Sequence, residues 1–202
     1  MGSSEDVKEI KISLHTNQEI REAIKQHLFE YKDVFAWSYD YMQGLSVDLV
    51  VHKLPVYLYF SPFQQKRRKF KPYMSEKINQ EIMTHLNAKV IQVICYITWL
   101  ANVVPVPKKD GKTRVCVDYR DLNKASRKDN FPLPNIHILV DNCAKHEMQS
   151  FVDCCAGYHP IFMDEEDAQK AAFTSPWGTY CYMVMPFGLK NAGATYMRVM
   201  MT

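Results

Sequence analysis

The strongest local constraint on the fold is the run "NVVPVPKKDGKTRVCVDYRDLN", residues 102–123. Two extended stretches flank Lys109-Asp110-Gly111-Lys112, and Asp-Gly is a strong signal for a tight turn between antiparallel strands. In the second strand Val115 and Val117 face one side, while Arg114, Cys116 and Asp118 face the other. Pro105 and Pro107 donate no N–H, which confines the first strand to a sheet edge or a bulge. A second hairpin is expected in "KAAFTSPWGTYCYMVM", residues 170–185, turning at Ser175-Pro176-Trp177-Gly178.

Helical periodicity lies on either side of these hairpins. Thr16 and Glu19 have capping-box spacing, and Ile20, Ile24, Leu28, Tyr31 and Phe35 form one apolar stripe, expected to pack in a core. A second helix is predicted from about Ser75, a fair N-cap, to Ala88, with Ile78, Ile82 and Leu86 on its buried face. "FPLPN", residues 131–135, introduces a short helix to about Asp141, and a last helix starts near Asn191. Between the first two helices, Gly44, Pro55 and Pro62 punctuate an irregular lead-in with strand character at Val47–Val51 and Val56–Phe60. Strands and helices out of βαβ order predict an α+β fold.

Charge is uneven rather than extreme. The net charge of the 202 residues is +3, but "KRRKFK", residues 66–71, places five cations in six positions. Lys66, Arg67, Arg68, Lys69 and Lys71 are either a solvated linker or a phosphate-contacting edge. No stretch has the apolar length that spans a bilayer, and "MGSSEDVKEI" has no apolar signal core. The six cysteines show no C-x-x-C spacing and are read as reduced thiols, and no Cys/His set has zinc-ligand spacing.

One acidic residue is poorly placed for a plain core. In "SFVDCCAGYHPI", residues 150–161, Asp153 ends a short apolar run. Such a carboxylate is either satisfied by backbone donors or held ionised by a cation. The acidic run Asp164, Glu165, Glu166 and Asp167 reads as a solvated turn.

The ordered set "RVCVDYRDLN", "FPLP", "FVDCCAGYH", "KAAF" and "VMPFGLKNAGATY" resembles the reverse transcriptases of gypsy-type LTR retrotransposons. "YKDVFAW", "KRRKF" and "WLANVVPV" are similar to the plant lineage of that family. The resemblance covers residues 20–202. It implies a right-hand polymerase: fingers and an incomplete palm over 66–202, preceded by a helix and lead-in over 16–65 and a flexible stretch over 1–15.

The same resemblance assigns roles. Asp153 becomes the catalytic carboxylate that binds two Mg²⁺ ions, with the backbone carbonyl of Cys154 as a further ligand. Lys108 or Lys109, with Arg114, would close on the nucleotide triphosphate. Ala156 and Gly157 would let backbone N–H groups approach its phosphates. Tyr158 would lie under the sugar and exclude a ribose 2′-hydroxyl, and Phe187 would lie against the incoming nucleotide. Asp118, Tyr119 and Arg120 would face the template. The implied partners are an RNA or DNA template-primer and dNTP, with thumb, RNase H and integrase regions elsewhere in the parent polyprotein. The implied location is intracellular, in a cytoplasmic virus-like particle or the nucleus.

The sequence departs from that pattern in several places. It holds no Asp-Asp pair, so the family's Tyr-x-Asp-Asp turn is missing and the 202 residues alone are expected to be inactive. The alternative reading is a non-catalytic retroelement remnant with weak nucleic-acid binding or none. Pro160 stands where glutamine is usual and is expected to disturb the segment carrying Tyr158. Met197, Cys154 and Cys155 are atypical, and Lys89 replaces a helix-ending glycine.

Overall fold

A computed structural model describes residues 12–35, 44–107, 113–146 and 157–201. The chain divides into two units, residues 1–43 and 44–202. In the first, α1 (Gln18–Glu30) is capped by Asn17, whose side chain accepts the Glu19 N–H, rather than by Thr16. None of its residues is buried, so the stripe from Ile20 to Phe35 does not form a core here.

The second unit contains two short strand systems. Strands β2 (Ile91–Val93), β3 (Ala101–Pro107), β4 (Thr113–Val117), β6 (Ala172–Ser175) and β7 (Gly178–Tyr182) form one sheet in the order β2-β7-β6-β3-β4. β1 (Val51–His52) and β5 (Phe162–Met163) pair in parallel. The helices are α2 (Pro72–Asn87), α3 (Arg120–Ala125), α4 (Ile136–Cys143), α5 (Glu165–Ala168) and α6 (Ala192–Met200).

Both hairpins form in the expected places. β3 and β4 pair from Val103↔Val117 to Pro107↔Thr113, and β6 and β7 close at Ser175↔Gly178. β3 meets β6 only at Ala101 and Asn102, so Pro105 and Pro107 lie where β4 is the one pairing neighbour among the described residues. Their missing N–H groups therefore leave no ladder bond unmade on the other side.

The lead-in, residues 44–65, groups with the second unit rather than with α1. Leu45 donates to the Pro160 carbonyl, Tyr57 to Ala125, and Leu54 to the Asp167 carboxylate. Its expected strands shrink to β1, and residues 57–60 are a turn, because most of its backbone bonds go to separate parts of the body instead of one ladder. The acidic run is also more than a solvated turn. Asp164 caps α5, and Asp167 is buried, bonded to the Leu54 N–H and paired with Lys170.

Helix α2 begins three residues before Ser75 because Pro72 occupies its first turn, where no N–H is needed. Ile78 and Ile82 sit in the core with Val103, Leu122, Phe173 and Met185. The helix ends with Val90 donating to His85 and Lys89 to Leu86, the double bond pattern that requires a left-handed residue between. That residue is Lys89, at φ 55°. A glycine has no Cβ penalty there. Lys89→Gly is expected to raise unfolding free energy by about 0.5–1 kcal/mol, read from a urea melt. An unchanged or lowered midpoint would remove the strain argument.

Acid should loosen this body. His52 is fully buried, its Nδ1 bonded to Thr195 Oγ1 at 2.8 Å. Burial lowers its pKa to about 4 against the partial opposition of Asp167. Burial, then the neighbouring His85, lowers His159 to about 4 as well. The unfolded chain takes up these protons near pH 6.5 and the folded chain only near pH 4. Stability is therefore full above about pH 6.5 and is lost as pH falls towards 4, by an amount on the order of several kcal/mol for the two histidines together. Unfolding free energies from urea melts at pH 7 and pH 5 should differ by roughly 2–4 kcal/mol, and equal values would contradict it.

Candidate nucleotide and nucleic-acid site

Three of the expected nucleotide-site residues come together from distant parts of the chain. Gly157 and Tyr158 lie in a turn before β5, and Phe187 lies in the loop before α6. The Tyr158 and Phe187 rings are 4.8 Å apart, and Tyr196 of α6 meets the Tyr158 ring edge-on at 5.4 Å. Gly157 adopts φ 53°, and a Cβ there would stand 3.3 Å from the Phe187 ring. Glycine is thus favoured twice, for its left-handed backbone angle and because a Cβ would press on the Phe187 ring. Phe187 keeps 53% of its surface exposed, which leaves it open to a ligand. Pro160 does not displace Tyr158 from these contacts: Ile161 donates to the Tyr158 carbonyl, and Pro160 contributes its own carbonyl to Leu45.

The loop carrying Phe187 is fixed by a residue the motifs did not single out. Asn123 of α3 donates to the Gly188 carbonyl at 2.7 Å and accepts the Lys190 N–H at 2.8 Å. Lys190 Nζ reaches the Asn123 and Ser126 carbonyls at the end of α3, where a cation is favoured. The "RDLN" and "PFGLK" strings are thereby one structural piece. The signal available in the sequence was the polar Asn123 in an otherwise apolar-and-charged helix turn.

The fingers side is held by a polar network. Asp118 is buried and accepts Arg120 Nε at 2.7 Å and Arg68 Nη2 at 2.8 Å. The Arg120 hydrogen bond first, then the two positive charges, hold its carboxyl down to about 2 despite burial. Gln65 donates to the Asp118 carbonyl and to Asp121, and accepts from the Asn102 backbone and side chain. Gln65 and Asn102 were not legible as site residues, because neither was assigned a role and each acts only through the partner the fold supplies.

This network corrects part of the template-side expectation. Asp118 is turned inward between two arginines. Tyr119 is buried, with its hydroxyl donating to the Ala171 carbonyl, and it presents no face for stacking. Within the basic run, Arg67 donates to the Ser175 and Pro176 carbonyls at the β6–β7 turn, and Arg68 pairs with Asp118. These two arginines fasten the lead-in to the sheet. Lys66, Lys69 and Lys71 are exposed, as are Arg114 on β4 and Arg120 at the start of α3.

Asp153, the Cys154 carbonyl, Ala156, Lys108 and Lys109 lie outside the described residues. Among the described residues no group of three His, Cys, Asp or Glu side chains could hold a metal ion. No helix among the described residues is long and apolar enough to cross a membrane.

The fold is that of the fingers and part of the palm of a right-hand polymerase. Residues 106–202 match the family described as reverse transcriptase (RNA-dependent DNA polymerase). The Pol polyprotein of transposon 297 from Drosophila melanogaster is 30% identical over 196 residues, covering 92% of this chain and 18% of that protein. The enzymatic polyprotein of cauliflower mosaic virus (strain Strasbourg) is 33% identical over 139 residues, covering 67% of this chain and 20% of that protein. The chain thus spans about a fifth of the length of these curated relatives. Prototype foamy virus protease-reverse transcriptase superposes with a TM-score of 0.71 at 21% identity, over 91% of this chain and 24% of that one. A foamy viral protease-reverse transcriptase in complex with double-stranded DNA gives 0.70 at 19% identity, over 91% and 32%. The chain carries the reverse transcriptase domain sequence of retrotransposon Pol polyproteins.

Proposed function

We propose that this domain serves RNA-directed DNA synthesis: template-directed transfer of a nucleotide to a primer 3′ hydroxyl, in a gypsy-type element of the plant lineage. The observation that carries the reading is the cluster of Gly157, Tyr158 and Phe187, residues that lie up to 30 positions apart and meet around one exposed ring face. The Tyr158 ring would set the depth available to the sugar. Phe187 would pack against the nucleotide, and the exposed Arg114, with Lys108 or Lys109, would balance its triphosphate. Lys66, Lys69, Lys71 and Arg120 would contact template phosphates. Asp153 and the Cys154 carbonyl would hold Mg²⁺, which in this chemistry stabilises the attacking and leaving oxygens. Foamy viral protease-reverse transcriptase has been captured with an RNA/DNA hybrid, and that partner class suits the exposed cations here. An intracellular setting, in a cytoplasmic particle or the nucleus, belongs to the same reading.

The 202 residues contain no Asp-Asp pair, so by themselves they are expected to extend no primer. The test joins the chain to the remaining palm and the thumb of a related active polymerase and supplies an RNA template, DNA primer, dNTPs and Mg²⁺. RNA-dependent extension by the joined chain, absent from the unjoined one, is the expected result. A folded joined chain that binds the duplex and extends nothing would favour the non-catalytic alternative.

A further inference from the structure

The turn at residues 57–60 exposes aromatic surface that neither the core nor the proposed nucleotide site uses. Tyr59 is 75% exposed and Leu58 wholly so. The Tyr59 ring lies 5.0 Å from Tyr57 and 5.1 Å from Phe60, at interplanar angles of 30° and 36°. The turn is held in place rather than frayed. Tyr57 donates to the Ala125 carbonyl, Arg127 to Pro55, and Phe60 to Tyr57.

One cation packs directly against it, and others line the neighbouring clefts. The Arg127 guanidinium sits 5.1 Å from the Tyr57 ring centroid. A cleft of about 510 Å³ begins at Pro55 and carries Lys53, Lys128 and Arg198. Its carboxylate, Asp129, is held by Arg198 at 2.8 Å, which leaves the lysines as the outward charge. Lys128 and Asp129 also line a second cleft of about 450 Å³ that reaches Lys190. The aromatic turn thus begins two residues beyond Pro55, which lines the first cleft together with Lys53 and Lys128.

We propose that Tyr57, Tyr59 and Phe60, with Arg127, form a stacking platform for unpaired bases of a single strand whose phosphates follow the basic clefts. The inference rests on the nucleic-acid reading of the domain and adds a contact region to it. Exposed ring faces interleaved with cations suit a single strand, because every base has a π-face and every linkage a charge. An apolar peptide would account for the rings and leave the row of cations without a role.

The test uses the chain itself, with fluorescein-labelled oligo(dT) and an abasic strand of equal length and charge. Stacking predicts that oligo(dT) binds roughly tenfold more tightly than the abasic strand. The double variant Tyr59→Ala, Phe60→Ala should erase that preference while its abasic affinity and melting temperature stay unchanged. Equal wild-type affinities, or a preference that survives in the double variant, would overturn the platform. If both strands bind equally and Lys66→Ala, Lys69→Ala, Lys71→Ala abolishes binding, the nucleic-acid reading stands and only the platform falls. Absence of binding to either strand at low salt overturns both. A dimer that becomes monomeric in the double variant, with base preference intact, would assign the turn to contact between copies instead.

Discussion

Replacing Asp153 with Asn in the joined, active chain is expected to lower primer extension by at least about a thousandfold. Asn keeps the shape of the side chain and loses its negative charge. A transferring phosphoryl group builds charge on oxygens that must be neutralised by cations held in place, and a neutral amide holds them poorly. On the proposed reading, template-primer binding would rest on the exposed lysines and should change less than about threefold, since its electrostatic part lies in phosphate contacts. The melting temperature should also hold. Extension and duplex binding measured on the same preparation separate these effects. Retained extension would remove Asp153 from the reaction, and a joint loss of binding and folding would make it a structural carboxylate.

Tyr158→Val should change which sugar is accepted more than how fast DNA is made. The Tyr158 ring packs against Phe187 and Tyr196, contacts that favour one position for it. A fixed steric wall rejects a group by clash, and shortening the side chain removes the clash. Discrimination against ribonucleotides, as the ratio of kcat/KM values, should fall by about one to two orders of magnitude. Incorporation of dNTP should fall by much less. If selectivity is unchanged while extension persists, Tyr158 is a core tyrosine and the sugar is read elsewhere. Tyr196→Phe, which keeps the ring and its edge-on contact, should leave selectivity intact in the same assay.

Much of this fold was readable from local chemistry. The two hairpins followed from Asp-Gly and from the Ser175–Gly178 turn, and the buried face of α2 from the spacing of Ile78 and Ile82. The helix boundary at Pro72 was missed because Ser75 is a good cap in isolation, while proline at the first turn starts the helix earlier. The inward turn of Asp118 was invisible for a different reason. Alternation along β4 places its side chain opposite Val117 but cannot say that Arg68, 50 positions away, will come to meet it. Gln65 was illegible likewise, and Asn123 showed only as a polar residue in its helix turn, since each acts by joining segments that only the tertiary fold brings together. Burial of Asp167 was hidden by its three acidic neighbours, which made the whole run look solvated.

The most direct measurement of the central claim is where a nucleotide lands. The joined chain, bound to an RNA template and a dideoxy-terminated primer, can be titrated with the complementary dNTP while the ring signals of Tyr158 and Phe187 are followed by NMR. The account predicts that both rings shift together with the complementary dNTP and hardly at all with a mismatched one. Saturable nucleotide binding that leaves both rings unmoved would contradict it.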